Sequence, residues 1–225
     1  MNIIYEDNHL IIVNKRCGEL VHHDMSGDLP LEQMVKDYLK NRYNKPGAVF
    51  LGVIHRVDRP VSGIVMFART SKALTRMNQM LREKQIKKTY WAIVKEMPPE
   101  EAGALIHYIV RDTKKNRSYA LLKERDGSKK AVMRYWHVAS SDRYHLLEID
   151  LETGRHHQIR CQLAAIGCPI RGDLKYGYPR SNINGGISLH ARKIQFKHPV
   201  RDEFIELTAS LPDDDKLWSF FAQIE

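Results

Sequence analysis

Asp58 stands between two arginines in the stretch HRVDRPVSGIVMFART (residues 55–70), with Arg56 two positions before it and Arg59 directly after. A carboxylate in such a basic setting is either an ion-pair partner or a reactive group. Ionised and shielded from water, it can attack an electrophilic carbon or take a proton. Taken alone, an aspartate so placed reads first as a salt-bridge residue.

A second stretch, LETGRHHQIRCQLAAIGCPIRGDLKYG (151–177), has Ile159, Leu163 and Ile166 at helical spacing, closed by Gly167 and Pro169. Arg160 falls about 100° from Ile159 around that helix, at the edge of the apolar stripe, where its stem can pack while its head enters a cleft. Arg155, His156, His157 and Gln158 open the same helix beside backbone N–H groups without intrahelical partners, a setting suited to phosphate. Tyr90, in the alternating stretch KKTYWAIVKE, is either a core aromatic or a face for a base to stack on.

The elements that must position these groups intermix along the chain. HLIIVN, GIVMFA, YHLLEIDLE and SLHARKIQF read as strands. LPLEQMVKDYLKNRYNKPG carries Leu31, Met34, Val35, Tyr38 and Leu39 at helical spacing, with Pro30 in its first turn and Pro46-Gly47 as a stop. TSKALTRMNQMLREKQ is a second helix, with Ser71 as its cap and Leu74, Met77 and Leu81 as its buried stripe. Strands that do not alternate regularly with helices argue for α+β with a largely antiparallel sheet. No repeat or Pro/Gly/Ser-rich linker interrupts the 225 residues, so a single domain over 1–225 is expected.

The net charge of +9 is unevenly spread. Seven Lys/Arg face one Glu between Arg69 and Lys88, and nine face three acids between Arg111 and Arg134, whereas Asp202–Glu225 holds seven acids and one Lys. Such separation suggests one basic face, for which a polyanion is the common partner, although solvated helix faces look alike. The segment from Arg111 to Lys130 is the candidate for a substrate-contacting excursion. The three cysteines, Cys17, Cys161 and Cys168, are an odd count with no zinc-ligand spacing, so neither disulfides nor a metal site is expected. No phosphate loop, dinucleotide fingerprint or paired carboxylates for two metal ions appears, so no cofactor is implied. Absence of a signal-like segment or a long apolar run points to a cytoplasmic protein with no membrane partner.

Five blocks in order, HRVDRPVSG, KKTYWAIV, TGRHHQIR, GCPIRGDLKYG and LHARKIQFKHP, resemble the RluA-type RNA pseudouridine synthases from about Tyr5 to the end of the chain. The resemblance implies a pseudouridine synthase fold, a largely antiparallel mixed sheet flanked by helices and loops around a central RNA-binding cleft. It implies that Asp58 is the catalytic aspartate, that Tyr90 packs on the flipped base, and that Arg160 is the ion-pair partner of Asp58. By the same resemblance Arg56 enters the RNA and turns the uridine outward, and Ile159 and Leu189 wall the pocket. The implied partner is a stem-loop of rRNA or tRNA, with no DNA expected, acted on by a monomer without cofactor or metal.

The chemistry suits those residue types. Breaking the bond from ribose to uracil nitrogen and rejoining through carbon 5 needs an ionised carboxylate, acting as nucleophile or as base on the way to a glycal. Burial disfavours a charged carboxylate, so a fixed cation is required beside it. Flipping a base out of a stem costs a few kcal/mol, which phosphate contacts from basic segments must offset. Two features depart from the family pattern. NKRCGELVHHD has Arg16 and Cys17 where a Lys-Pro pair is usual, and the pattern starts within the first residues, so no N-terminal S4-type module is expected. The alternative reading is a non-catalytic RNA-binding or assembly factor on the same fold.

Overall fold

A computed structural model describes residues 1–24 and 27–224. They form two compact units, Met1–Lys87 with Ala191–Leu211, and Lys88–His190 with Pro212–Glu225. The α+β, largely antiparallel architecture expected from the sequence is present in each.

In the first unit β1 (Asn2–Glu6), β2 (Leu10–Lys15), β4 (Ser62–Ala68) and, from Ala191 on, β10 (Leu189–Lys197) lie side by side, with β3 (Gly52–Val53) on β4 and β11 (Phe204–Thr208) on β10. The near-continuous apolar runs of β2 and β4 pair antiparallel from Leu10↔Ala68 to Lys15↔Gly63. That register puts Ile11 and Val13 beside Phe67 and Val65 on one face. Helix α1 (Leu31–Arg42) covers this face with Leu31, Val35 and Leu39.

Pro30 lies one residue before α1 rather than in its first turn: its backbone is extended, and the N–H groups of Leu31 and Glu32 go to the carbonyls of Leu20 and Val21. The helix stops at Arg42, ahead of Pro46-Gly47. In α2 (Ser71–Arg82) the cap is Thr70 and not Ser71. Thr70 has the non-helical backbone, and its hydroxyl accepts from the Ala73 N–H at 3.2 Å. Ala73 and Met77 are its buried residues, while Leu74 and Leu81 are half-buried.

The second unit orders β5 (Lys87–Val94), β9 (His145–Leu151), β8 (Lys129–Ser140), β6 (Ala102–Asp112) and β7 (Arg117–Leu121), all antiparallel. Helix α3 (Gln158–Ala165) is fastened to β6 by Gln162, whose amide donates to the Leu105 carbonyl at 3.0 Å and meets His107 Nδ1 at 3.0 Å. The acidic C-terminal segment contributes α4 (Lys216–Phe221), which the sequence reading did not foresee. Asp215 caps it through the Leu217 N–H and pairs with Arg171. No helix of the described residues is long and apolar enough to cross a membrane.

Gly63 shows how tightly β4 is seated. Its φ is +108°, and a Cβ there would come within 2.4 Å of the Ala191 carbonyl oxygen. Gly63→Ala is therefore expected to cost about 3 kcal/mol or more, through backbone strain and overlap together, measured as a drop in the urea midpoint at constant m.

Candidate active site

In the first unit Asp58 sits, half-exposed, in the segment joining β3 to β4, where its carbonyl accepts from the Val61 N–H at 3.0 Å and closes a turn over Arg59-Pro60. That turn is clamped from the end of β2. The Arg59 carbonyl accepts from the Gly18 N–H at 2.9 Å and from Lys15 Nζ at 3.1 Å, and Lys15 also donates to the Arg16 carbonyl at 2.9 Å. Arg56 is exposed, and Arg59 turns its guanidinium to Asp28.

Sequence reasoning missed Lys15. It is 1% exposed, and burial pushes its ammonium down to about 8; Cys17, Glu19 and Asp58 oppose that shift, while Arg59 adds to it. The clamp lies within NKRCG, the block that departs from the family pattern.

The second unit holds Tyr90, Ile159, Arg160 and Leu189. Tyr90 is buried on β5 and shares a sheet face with its cross-strand neighbours Ile149 and Tyr135. Leu189 opens β10, and Ile159 lies in the first turn of α3, both buried. Arg160, expected at the edge of the stripe, is buried outright. Its Nε and Nη2 donate to the two oxygens of Asp173 at 2.7 and 2.9 Å, a bidentate geometry that fixes the plane of the guanidinium. Asp173, in GCPIRGDLKYG, is a second residue that sequence reasoning missed. Its only signal there was a carboxylate thirteen positions after an arginine.

Tyr176 completes this arrangement. Its ring lies beneath the guanidinium groups of both Arg160 and Arg117, each 5.1 Å from the centroid. Its hydroxyl accepts from the Ser118 N–H at 2.8 Å and sits 2.9 Å from His157 Nδ1. Burial raises the phenol to about 12. Burial, then Arg160, His156, Lys175 and Arg111, push His157 down to about 2, so the imidazole is neutral where it meets the Tyr176 hydroxyl.

The start of α3 differs from the phosphate cradle expected there. His157 is buried in a left-handed backbone conformation, and His156 Nδ1 is 2.8 Å from the Ser118 hydroxyl. The Gln158 side-chain oxygen accepts from the Thr153 hydroxyl and the Arg155 N–H, so these side chains serve the junction itself. Lys88, on the Tyr90 face of β5, is a half-buried cation whose ammonium is pushed down by desolvation. Cys161 packs with Ile109, Ala131 and Tyr176.

A profile described as RNA pseudouridylate synthase matches residues 9–165. The chain is 34% identical over 220 residues to the uncharacterized RNA pseudouridine synthase YhcT of Bacillus subtilis, spanning 96% of this chain and 70% of that one. It is 33% identical over 221 residues to ribosomal large subunit pseudouridine synthase C of Vibrio parahaemolyticus, spanning 96% and 66% respectively. The solved structure of human RNA pseudouridylate synthase domain containing 4 matches with a TM-score of 0.79 and 25% identity, over 99% of this chain and 91% of that one.

Two outcomes follow from the geometry. Asp173→Asn removes the charge that faces the buried Arg160 guanidinium and is expected to cost about 3 kcal/mol, read from urea unfolding. For Lys15 the folded pKa lies below the unfolded value, so the unfolded chain holds the extra proton between pH 8 and 10.5. Stability attributable to this lysine therefore rises with pH across that window, and below 8 its burial is a constant cost. Comparing the unfolding free energy of wild type and Lys15→Met from pH 7 to 10.5 tests this; parallel curves contradict it.

Proposed function

The chain belongs to the RNA pseudouridylate synthase family, and from that membership we propose that it isomerises specific uridines of a structured rRNA or tRNA, using Asp58 after the base is flipped out. An enzyme of this family is an isomerase: no electrons leave the substrate, and the same uracil is released from nitrogen and rejoined through carbon. Asp58 opens the reaction at the ribose, as nucleophile on C1′ or as base on C2′. The freed base rotates, C5 bonds to C1′ as the Asp58 ester leaves or as the C2′ proton is returned, and the C5 proton departs. Tyr90 and Arg160 complete the catalytic set, the first as an aromatic face for the base and the second as a fixed cation. Arg56 serves the RNA, and Ile159 and Leu189 are apolar wall.

The observation that carries this reading is the clamped Asp58 turn. A surface salt-bridge residue has no need of a buried lysine and a backbone amide both directed at the carbonyl beside it. Lys15 thus supports catalysis twice, by holding the turn and by placing a positive charge near the Asp58 carboxylate. RNA of the large ribosomal subunit is the substrate class that the Vibrio relative's name supports.

Pseudouridine mapping of total RNA from a strain lacking the protein tests the assignment. One or a few sites should vanish, returning with wild type and not with Asp58→Ala. Persistence of every site, or restoration by Asp58→Ala, overturns it in favour of a binding-only protein.

A further inference from the structure

The sheet of β6, β7 and β8 is covered on one face and open on the other. Along β8, Ala131, Met133 and Tyr135 are buried, whereas Lys130, Arg134 and Trp136 between them are exposed. The register carries this open face onto the neighbouring strands: Ile106 lies opposite Val132, Tyr108 opposite Lys130, and Tyr119 opposite Val110. Ile106 is 52% exposed, Trp136 38% and Tyr119 37%, apolar and aromatic side chains set along one sheet face from the Ala102 end of β6 to Val110.

Cations interleave with these rings. Lys130 and Arg134 alternate with Val132 and Trp136 at about 7 Å per two residues, a step that an extended nucleotide backbone can follow. The Arg117 guanidinium lies 5.3 Å from the centre of the Tyr119 ring. Arg134 meets Glu152 at 3.0 Å, but both are well exposed, and such a pair is readily exchanged for a phosphate. A protein partner seated here would have to bury Lys130 and Arg134 and find acceptors for them. A nucleic acid strand supplies phosphates for the cations and flat bases for the rings.

We propose that the open face of β6, β7 and β8 is a second RNA-binding surface, which takes a single-stranded segment by stacking on Trp136 and Tyr119 with phosphates on Lys130 and Arg134. It lies on the sheet face opposite that of Tyr90, so it tethers RNA outside the residues assigned to chemistry. The choice of RNA as occupant rests on the proposed function.

Tryptophan emission reads this surface directly, because Trp91 and Trp218 are 4% and 3% exposed and only Trp136 is open to solvent. The probe is an oligocytidylate of about twelve nucleotides, which offers no uridine to the catalytic residues. Titration into the wild-type protein should quench the emission. Trp136→Leu, which keeps an apolar strand residue, should abolish the quenching and weaken binding by about 5- to 100-fold. Lys130→Ala with Arg134→Ala should reduce the slope of log affinity against log salt by about 1 to 2. Asp58→Ala protein should quench like wild type, so a failed mapping experiment and a failed platform are told apart. Absence of quenching in wild type overturns the proposal, as does unchanged affinity in Trp136→Leu. A concentration-dependent self-association that Trp136→Leu removes does so too, because the face is then a protein interface.

Discussion

The buried bidentate pair of Arg160 and Asp173 is the interaction on which the second unit turns. Helix α3 has eight residues, too few to hold itself as a helix in water. It is kept in place by what its side chains reach: Asp173 and Tyr176 through Arg160, the β6 backbone and His107 through Gln162, and the Thr153 turn through Gln158. A buried ion pair is often no more stabilising than apolar side chains of the same volume. Its contribution is position: the guanidinium plane is fixed by two hydrogen bonds and a ring beneath it. His157 stays neutral beside it, so the local positive charge is concentrated on Arg160 rather than shared with an imidazolium.

The first unit solves an analogous problem with different atoms. There the group to be held is a backbone turn, and the buried cation, Lys15, is directed at carbonyl oxygens. Carbonyls offset the desolvation of an ammonium only in part, so burial lowers the Lys15 pKa, whereas the always-charged Arg160 guanidinium is met by a carboxylate. In both units a buried cation holds in place a residue assigned to chemistry, Arg160 through its own guanidinium and Asp58 through the turn that carries it.

The basic segment between Arg111 and Arg134 takes on a different meaning once its strands are placed. Read as a run of charge it is an excursion toward substrate; folded, it is the end of β6, all of β7 and the start of β8 with their turns, in which Arg117 packs against Tyr119 and Tyr176 while Lys130 and Arg134 stand on an open face among aromatic residues. The charge is therefore sorted by the pleat into structural and available members, and only the available ones can meet a polyanion.

How much was legible follows from the range of each interaction. Strand and helix positions depend on local periodicity and turn residues, so β2, β4, β5, β9, α1 and α3 lie within a residue or two of where hydrophobic spacing puts them, and the α+β class follows. The ordered blocks identify the family, because they record residue types at fixed separations. Details of capping were less legible: Thr70 and Ser71 are both suitable caps, and backbone dihedrals choose between them. The clamp by Lys15, the pairing of Arg160 with Asp173, the inward turn of His156 and His157, and the open face of β8 join residues up to 44 positions apart or depend on strand register. Only the tertiary fold decides them, because a side chain's partner and its exposure are set by which strands become neighbours, and no local spacing encodes that.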